Sequence, residues 1–339
     1  MMLSRVADAI YWMSRYLERA ENIARLIDVD LQLMLDKATE EQAQWEPLAS
    51  ITGDVKWFHE KYGPATQESI TKFLTFDREY PNSIISCLTA ARENARSIRD
   101  VISSEFWQET NRFYLTVNDS KAEEEAGLRP HQFYEQLRRH GYLCNGVCDF
   151  TMTHNDGWHF SQVGRLLKRA DKTTRILDVK YFMLLPKPDD VGRPIDVIQW
   201  SAVLNSASAF EMHRRRYREI QPTNVAEFLI AARGFPRSIY FSLDKAEISL
   251  RAITGSPPGT FVNEVEQKLG ALRAELSFVN VSEIVSSGLH EFLDNLQRRM
   301  NAIDNAMQAA YFAIQPISNP AELDNSATVT KINIQESVQ

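Results

Sequence analysis

Apolar residues recur at alternating spacings of three and four along the N-terminal stretch: Leu3, Val6, Ile10, Met13, Leu17, Ala20, Ala24, Ile27, Leu31 and Met34. That spacing is a heptad seam, the mark of a long helix packed along another helix at a shallow angle. It commits the chain to helical packing from its first residues. Ala20 and Ala24 sit mid-seam, where small side chains let a partner helix come close. One residue past successive seam positions stand Glu18, Glu21, Arg25 and Asp28, a charged line beside the seam. Glu21 and Arg25 are four apart in the favoured acid-before-base order. Arg19 lies on the other flank.

The pattern returns 150 positions later as Leu167-Lys168-Arg169-Ala170-Asp171, followed by Arg175-Ile176-Leu177-Asp178-Val179. Arg19, Ala20, Arg25 and Asp28 match Arg169, Ala170, Arg175 and Asp178. Glu21 becomes Asp171, and Glu18 becomes Lys168, a reversal of charge. A second run matches at an offset of 155, with Phe73-Leu74, Pro81, Ser83-Ile84, Leu88 and Arg96 meeting Phe228-Leu229, Pro236, Ser238-Ile239, Leu243 and Arg251. Two collinear runs with a short slip between them argue for duplication of an all-helical unit. With only two copies, the expected fold is all-α, a paired helical bundle rather than a long solenoid.

Turn and cap signals divide the chain. Helices are expected over 4–37, 43–62, 66–75, 83–104, 105–117 and 131–153, with a polar, acidic loop over 118–129. Asn155-Asp156-Gly157 marks a turn, which places a first unit at 1–155 and a second at 156–315. In the second unit, helices are expected from Trp158 to before Pro186, then over 196–218, 223–232, 237–254, 260–277 and 281–313. Pro186 to Pro194 reads as a connection and 316–339 as a loose polar tail. No strand is expected.

Charge bounds the partners. The net charge is −7, where a nucleic-acid binder would carry a basic excess. The local run Arg214-Arg215-Arg216-Tyr217-Arg218 reads as a solvated helix face, with an anion-binding face as the alternative. No stretch reaches the roughly 20 apolar residues that cross a bilayer, and the N-terminus runs straight into the amphipathic pattern without a signal-peptide progression. Cys87, Cys144 and Cys148 do not form a disulfide framework. A cytoplasmic protein without nucleic-acid or membrane partners is the expectation.

Two constellations carry chemistry. The first is Glu18, Glu21, Arg25 and Asp28, either a helix-flank ion-pair network or a polar cleft in which planar guanidinium forks grip an anionic substrate. The second is Arg92, Glu93 and Arg96, one turn apart, with Arg99, Glu105, Trp107 and Asn111 close behind. His140, Cys144 and Cys148 share a helix face, but zinc takes ligands from separate elements or tight CxxC turns, so no metal is expected. Neither a phosphate-binding glycine loop nor a nucleophile elbow occurs, and no cofactor is expected.

Leu17 to Glu21, Tyr80-Pro81-Asn82-Ser83-Ile84, Ala91 to Arg96, Glu105-Phe106-Trp107 through Asn111, Gly164 to Asp171 and Arg175 to Val179 together resemble the bacterial alpha-E family, over about residues 2–313. That family is a predicted all-helical domain named for its Glu-Arg motif. Its members occur beside or fused to a circularly permuted ATP-grasp-like protein, often with a transglutaminase-like protein. The resemblance implies those partners and a role in an amide-bond-forming, peptide-modifying system. This chain departs from the pattern at Lys168, where a second Glu-Arg is expected, so Glu18-Arg19 is the better site.

The reading that follows is a non-catalytic helical partner, or substrate-holding subunit, of an ATP-grasp-type system. Substrate or partner contacts are assigned to Arg19, Glu21, Arg25, Arg92, Glu93, Arg96, Arg169, Asp171 and Arg175. The alternative is an enzyme with Glu18 as its catalytic acid/base and the same arginines holding an anionic peptide-like substrate. A third reading is a homodimeric scaffold joined along the Leu3 to Met34 seam.

Overall fold

Helix α1 (Ser4–Leu35) carries the heptad seam. Ile10, Met13, Leu17, Ala20, Ala24, Ile27 and Leu31 are all buried. Leu3 departs from the expectation: it lies ahead of the helix and is exposed. The charged line is buried as well, with Glu18, Glu21, Arg25 and Asp28 as inaccessible as the seam, and Arg15 and Asn22 beside them. A helix buried round its circumference is a core element rather than an amphipathic surface one.

The computed structural model describes residues 2–35, 45–52, 54–182 and 194–313. Within them the chain is all-helical, without strands. After α1 come α2 (Glu46–Thr52), α3 (Val55–Tyr62), α4 (Gln67–Thr71, continued by a π-helical turn Lys72–Phe76), α5 (Ile84–Ser97), α6 (Ser104–Asn118), α7 (Ala122–Leu128) and α8 (Pro130–Thr151). Then follow α9 (Asp156–Phe182), α10 (Pro194–Ser206), α11 (Phe210–Tyr217), α12 (Pro222–Ala231), α13 (Ile239–Thr254), α14 (Glu264–Leu276), α15 (Val281–Ser287) and α16 (Leu289–Met307), which ends in the π-helical turn Gln308–Phe312.

Side-chain caps set many of these boundaries. Ser83, Ser103, Ser238 and Asn263 each accept a hydrogen bond from the backbone N–H three residues on, satisfying a donor that the first turn leaves free. Four expectations are corrected. The helix over 43–62 is two helices, α2 and α3. The loop over 118–129 contains α7, whose first turn holds Glu123, Glu124 and Glu125 against the positive end of the helix dipole. The helix over 196–218 breaks at Ser208, which takes φ +50°, and the one over 281–313 breaks at Gly288, with φ +140°. The connection over 186–193, the tail from 316 and the Met34 side chain lie outside the described residues.

Helices α1 and α9 pack against each other at the centre. Gly164 permits the crossing: a Cβ there would stand 2.5 Å from the backbone carbonyl oxygen of Tyr11. Gly141 plays the same part between α8 and α1, where a Cβ would meet the Glu21 Cγ at 2.4 Å. Around α1 lie α5 and α8, with α6 bridging them. Around α9 lie α13 and α16, with α14 bridging them. Arg214, Arg215, Arg216 and Arg218 are exposed. Among the described residues no helix is long and apolar enough to cross a membrane.

Candidate functional site

The α1–α9 crossing buries charge on both of its sides. On one side the Glu18 carboxylate, 2% exposed, is gripped by Arg169 of α9 in two-point fashion, Nε to Oε1 at 2.8 Å and Nη2 to Oε2 at 2.9 Å. Asn22 donates to Glu18 Oε1 at 3.0 Å. Arg237, from the turn before α13, lies 3.6 Å from Glu18 and donates to Glu21 at 3.0 Å and to the Asn22 side-chain oxygen at 3.1 Å. Arg25 donates to Glu21, to Ser208 and, at 2.9 Å, to the Tyr142 hydroxyl. Asp28 is held by Arg138 and His131.

Burial alone would raise the Glu18 carboxyl, but Arg169, then Arg237 and Arg165, outweigh it and hold the group well below the usual carboxylate range. Glu18 is therefore ionised at neutral pH with both oxygens occupied. Burial likewise favours the neutral Tyr142 phenol, but Arg25 and Arg138 overcome this and lower its pKa. This first cluster is closed: each oxygen of its three carboxylates accepts from a basic side chain.

The second cluster lies on the other side of the crossing and encloses a cavity of about 350 Å³. Arg15 and Arg19 reach it from α1, and Lys168, Asp171, Lys172 and Arg175 from α9. Tyr80 and Asn82 enter from the turn before α5, and Asp304 from α16 with two asparagines. Asp171 accepts from Lys168 at 2.5 Å and from Arg175 at 3.1 Å. Burial opposes its ionisation, yet Lys168, Arg175 and Lys172 hold it well below the usual range. Asp304 accepts from both terminal nitrogens of Arg15, and from the Tyr11 hydroxyl at 2.6 Å.

Counting the lining, five basic side chains face two carboxylates, a formal excess of three; burial pushes Lys168 well below the ordinary lysine range, and Asp171 beside it opposes the shift. Both carboxylates are already engaged. Arg19 has no carboxylate partner among the described residues, and its Nε is buried without a hydrogen bond; its guanidinium lies 5.5 Å from the Tyr16 ring. Lys172 is 5% exposed and makes no hydrogen bond or ion pair among the described residues. Burial, and next to it Arg175, push its pKa down to about 8.

The crossing thus gathers Glu18, Arg19, Glu21, Arg25, Arg169, Asp171 and Arg175. It does not gather Arg92, Glu93 and Arg96. Arg92 donates to Asn111 of α6 at 2.7 Å, and both arginines pair with the exposed Glu93. All three find their polar partners on α5 and α6. Cys87, Cys144 and Cys148 are buried free thiols, and His140 bonds Glu109 at 2.6 Å. Among the described residues no His, Cys, Asp and Glu side chains come together as a metal-binding group. A larger cavity of about 490 Å³ lies between α1 and α8, but its charges pair internally, Asp28 with Arg138 and Glu135 with Arg139.

Sequence reasoning did not single out Arg15, Lys172, Arg237 or Asp304. Arg237 carried a signal: at the offset of 155 it falls opposite Asn82, one residue before the matched Ser83 and Ser238. Lys172 stands one residue past the Glu-Arg echo.

A family model described as a predicted alpha-helical domain with a conserved ER motif, Alpha-E, matches residues 2–312. Uncharacterized proteins of Mycobacterium bovis and Mycobacterium tuberculosis are 24% identical over 349 residues, an alignment covering 93% of this chain. The chain spans 38% of the length of those relatives. No solved structure matches.

Proposed function

We propose, for a chain that belongs to the Alpha-E family, a role as a non-catalytic helical partner in an amide-bond-forming, peptide-modifying system built around an ATP-grasp-type ligase. The observation that carries the non-catalytic part is the state of the motif carboxylate. Glu18 is ionised, bidentate to Arg169 and flanked by Arg237. A general acid or base must exchange a proton near the working pH, and a carboxylate held this way at a helix crossing serves instead to fix two helices to each other. The motif then shapes the surface that a ligase or its peptide meets.

The same reading includes an internal duplication, with units over 1–155 and 156–315. Three features support it. The sets α1, α5, α6, α8 and α9, α13, α14, α16 pack in the same order. Ser83 and Ser238, matched in sequence, cap α5 and α13. Each also donates its hydroxyl to the carbonyl six residues back, at 2.5 Å. The three unbridged thiols support a reducing, cytoplasmic setting.

The test is reconstitution with a purified ATP-grasp-type ligase from the same cell. Co-elution on size exclusion, and peptide ligation that rises when this chain is added, are the expected results. Failure of the pair to associate with or without ATP and peptide would remove the partner reading. Turnover by this chain alone, lost in a folded Glu18→Gln variant, would replace it with the enzymatic one.

A further inference from the structure

We propose that the cavity between α1, α9 and α16 is a binding site for the phosphoryl group of a small phosphorylated ligand, with Lys172, Arg19 and Arg175 as its principal contacts. The inference goes beyond the partner reading and does not require the ligase.

Charge carries the argument first. A buried cation without a counter-charge costs several kcal/mol, and folded chains leave few such groups without a reason. Here Lys172 is nearly inaccessible, makes no hydrogen bond or ion pair among the described residues and faces a cavity, and Asp171, already bonded to Lys168 and Arg175, offsets its charge only in part. Arg19 lacks a carboxylate, and its Nε is unsatisfied. The two carboxylates present are consumed by Lys168, Arg175 and Arg15. Asp54, which accepts from the Tyr80 hydroxyl at 2.6 Å, also acts on Arg175, so two positive charges are left for an anion from outside the chain. A phosphate monoester brings nearly two negative charges and several acceptor oxygens, whereas a carboxylate brings one charge and two oxygens. Lysine supplies a point charge to such a group and arginine a planar fork.

Shape agrees. A volume of about 350 Å³ is near the lower end of small-molecule sites, which run from about 300 to 1,000 Å³. The space admits a phosphoryl group with a modest organic body but no folded macromolecule. Trp12, Tyr80 and the side-chain amides of Asn82, Asn301 and Asn305 line the remainder, suited to the body of the ligand.

The contrast between the two sides of the crossing shows how the cavity arises. On the proposed pairing of the two units, Lys168 stands where Glu18 stands in the first, and Asn82 where Arg237 stands in the second. In the first cluster a carboxylate meets Arg169, and the long Arg237 side chain fills the space. In the second a cation replaces that carboxylate, and a short amide replaces the filling guanidinium. The result is an open, positively charged hole in place of a closed ion-pair lattice.

The experiment is isothermal titration calorimetry of the full chain with inorganic phosphate, phenyl phosphate and acetate at one fixed ionic strength. Saturable one-to-one binding of phosphate and phenyl phosphate, with acetate at least about tenfold weaker, is expected. Lys172→Met and Arg19→Gln should each weaken phosphate binding by about tenfold or more, while Arg112→Gln, at an exposed position of α6, leaves it unchanged. Circular dichroism confirms that each variant is folded, and two independent variants keep the test open if one is not. Acetate binding as tightly as phosphate would overturn the phosphoryl assignment. No saturable binding at about 10 mM phosphate, or unchanged binding in a folded Lys172→Met chain, would overturn the site. Neither outcome bears on whether the chain associates with a ligase.

Discussion

Replacing Lys172 by methionine should make this protein more stable. The side chains are similar in length, so methionine occupies the space of the lysine stem and removes its charge. The lysine is pushed from its ordinary 10.5 down to about 8, by burial first and by Arg175 next, with Asp171 opposing. At about 1.4 kcal/mol for each power of ten, that gap corresponds to about 3 kcal/mol of penalty in the folded state. The sign follows from proton counting. Below pH 8 the lysine is charged in folded and unfolded chains alike, and the penalty is fully present. Between pH 8 and 10.5 the folded chain has released the proton and the unfolded chain still holds it, so wild-type stability rises with pH. Lys172→Met should therefore exceed wild type by about 3 kcal/mol at pH 7, and the gap should shrink toward zero by pH 10.5. Urea unfolding of both proteins at several pH values measures it, and the difference cancels shared groups that do not interact with Lys172; Cys87, whose thiol Lys172 lowers against burial, is removed by making the comparison in a Cys87→Ala background. A variant less stable than wild type at pH 7, or a gap that does not change with pH, would refute the picture of an uncompensated buried cation.

Gly164→Ala should destabilise the fold by about 1–3 kcal/mol, because the new Cβ would lie 2.5 Å from the Tyr11 carbonyl oxygen and force α1 and α9 apart; thermal unfolding reads the loss. Glu18→Gln should cost about 3–5 kcal/mol, since it strands Arg169 without its counter-charge and leaves Arg237 with Glu21 alone, whereas Glu93→Gln, in an exposed pair, should change stability by less than about 0.5 kcal/mol; urea midpoints for the two variants separate these cases. Glu18 and Asp171 titrate below their unfolded values, so their contribution is complete above the ordinary carboxylate range and disappears as pH falls through their folded values. Acid unfolding followed by far-ultraviolet circular dichroism should accordingly begin at higher pH in Glu18→Gln than in wild type.

The helices were legible because their signals are local. A heptad seam, serine caps and a glycine such as Gly255, which ends α13 at φ +74°, each act within a few residues, and α1, α5, α9 and α13 follow from them. The breaks at Ser208 and Gly288 were not, because each depends on one residue taking a backbone angle that its neighbours do not announce. Burial of the charged line on α1 was also hidden. A line beside a seam reads as a flank facing water, and only the arrival of α8 and α9, permitted by Gly141 and Gly164, encloses it. The ion pairs divide the same way. Glu21 with Arg25 lies within one turn and could be read directly. Glu18 with Arg169 spans 151 positions and needs the fold.

The charge reversal at Lys168 carries this reasoning furthest. In the sequence it is a flaw in a repeated motif, and it weakens the case for a symmetric Glu-Arg site. In the fold it decides which side of the crossing closes. A glutamate at that position would give the cavity a third carboxylate and reduce its excess of positive charge from three to one, close to the balance of a closed lattice. Lys168 instead shares Asp171 with Arg175, so Asp171 offsets the Lys172 charge only in part. The departure from the motif is thus the change that leaves the second cluster in need of an anion. Lys168→Glu should close the site as Lys172→Met empties it of charge, and a Lys168→Glu chain that still bound phosphate as wild type does would show that the surplus of cations is not what holds the ligand.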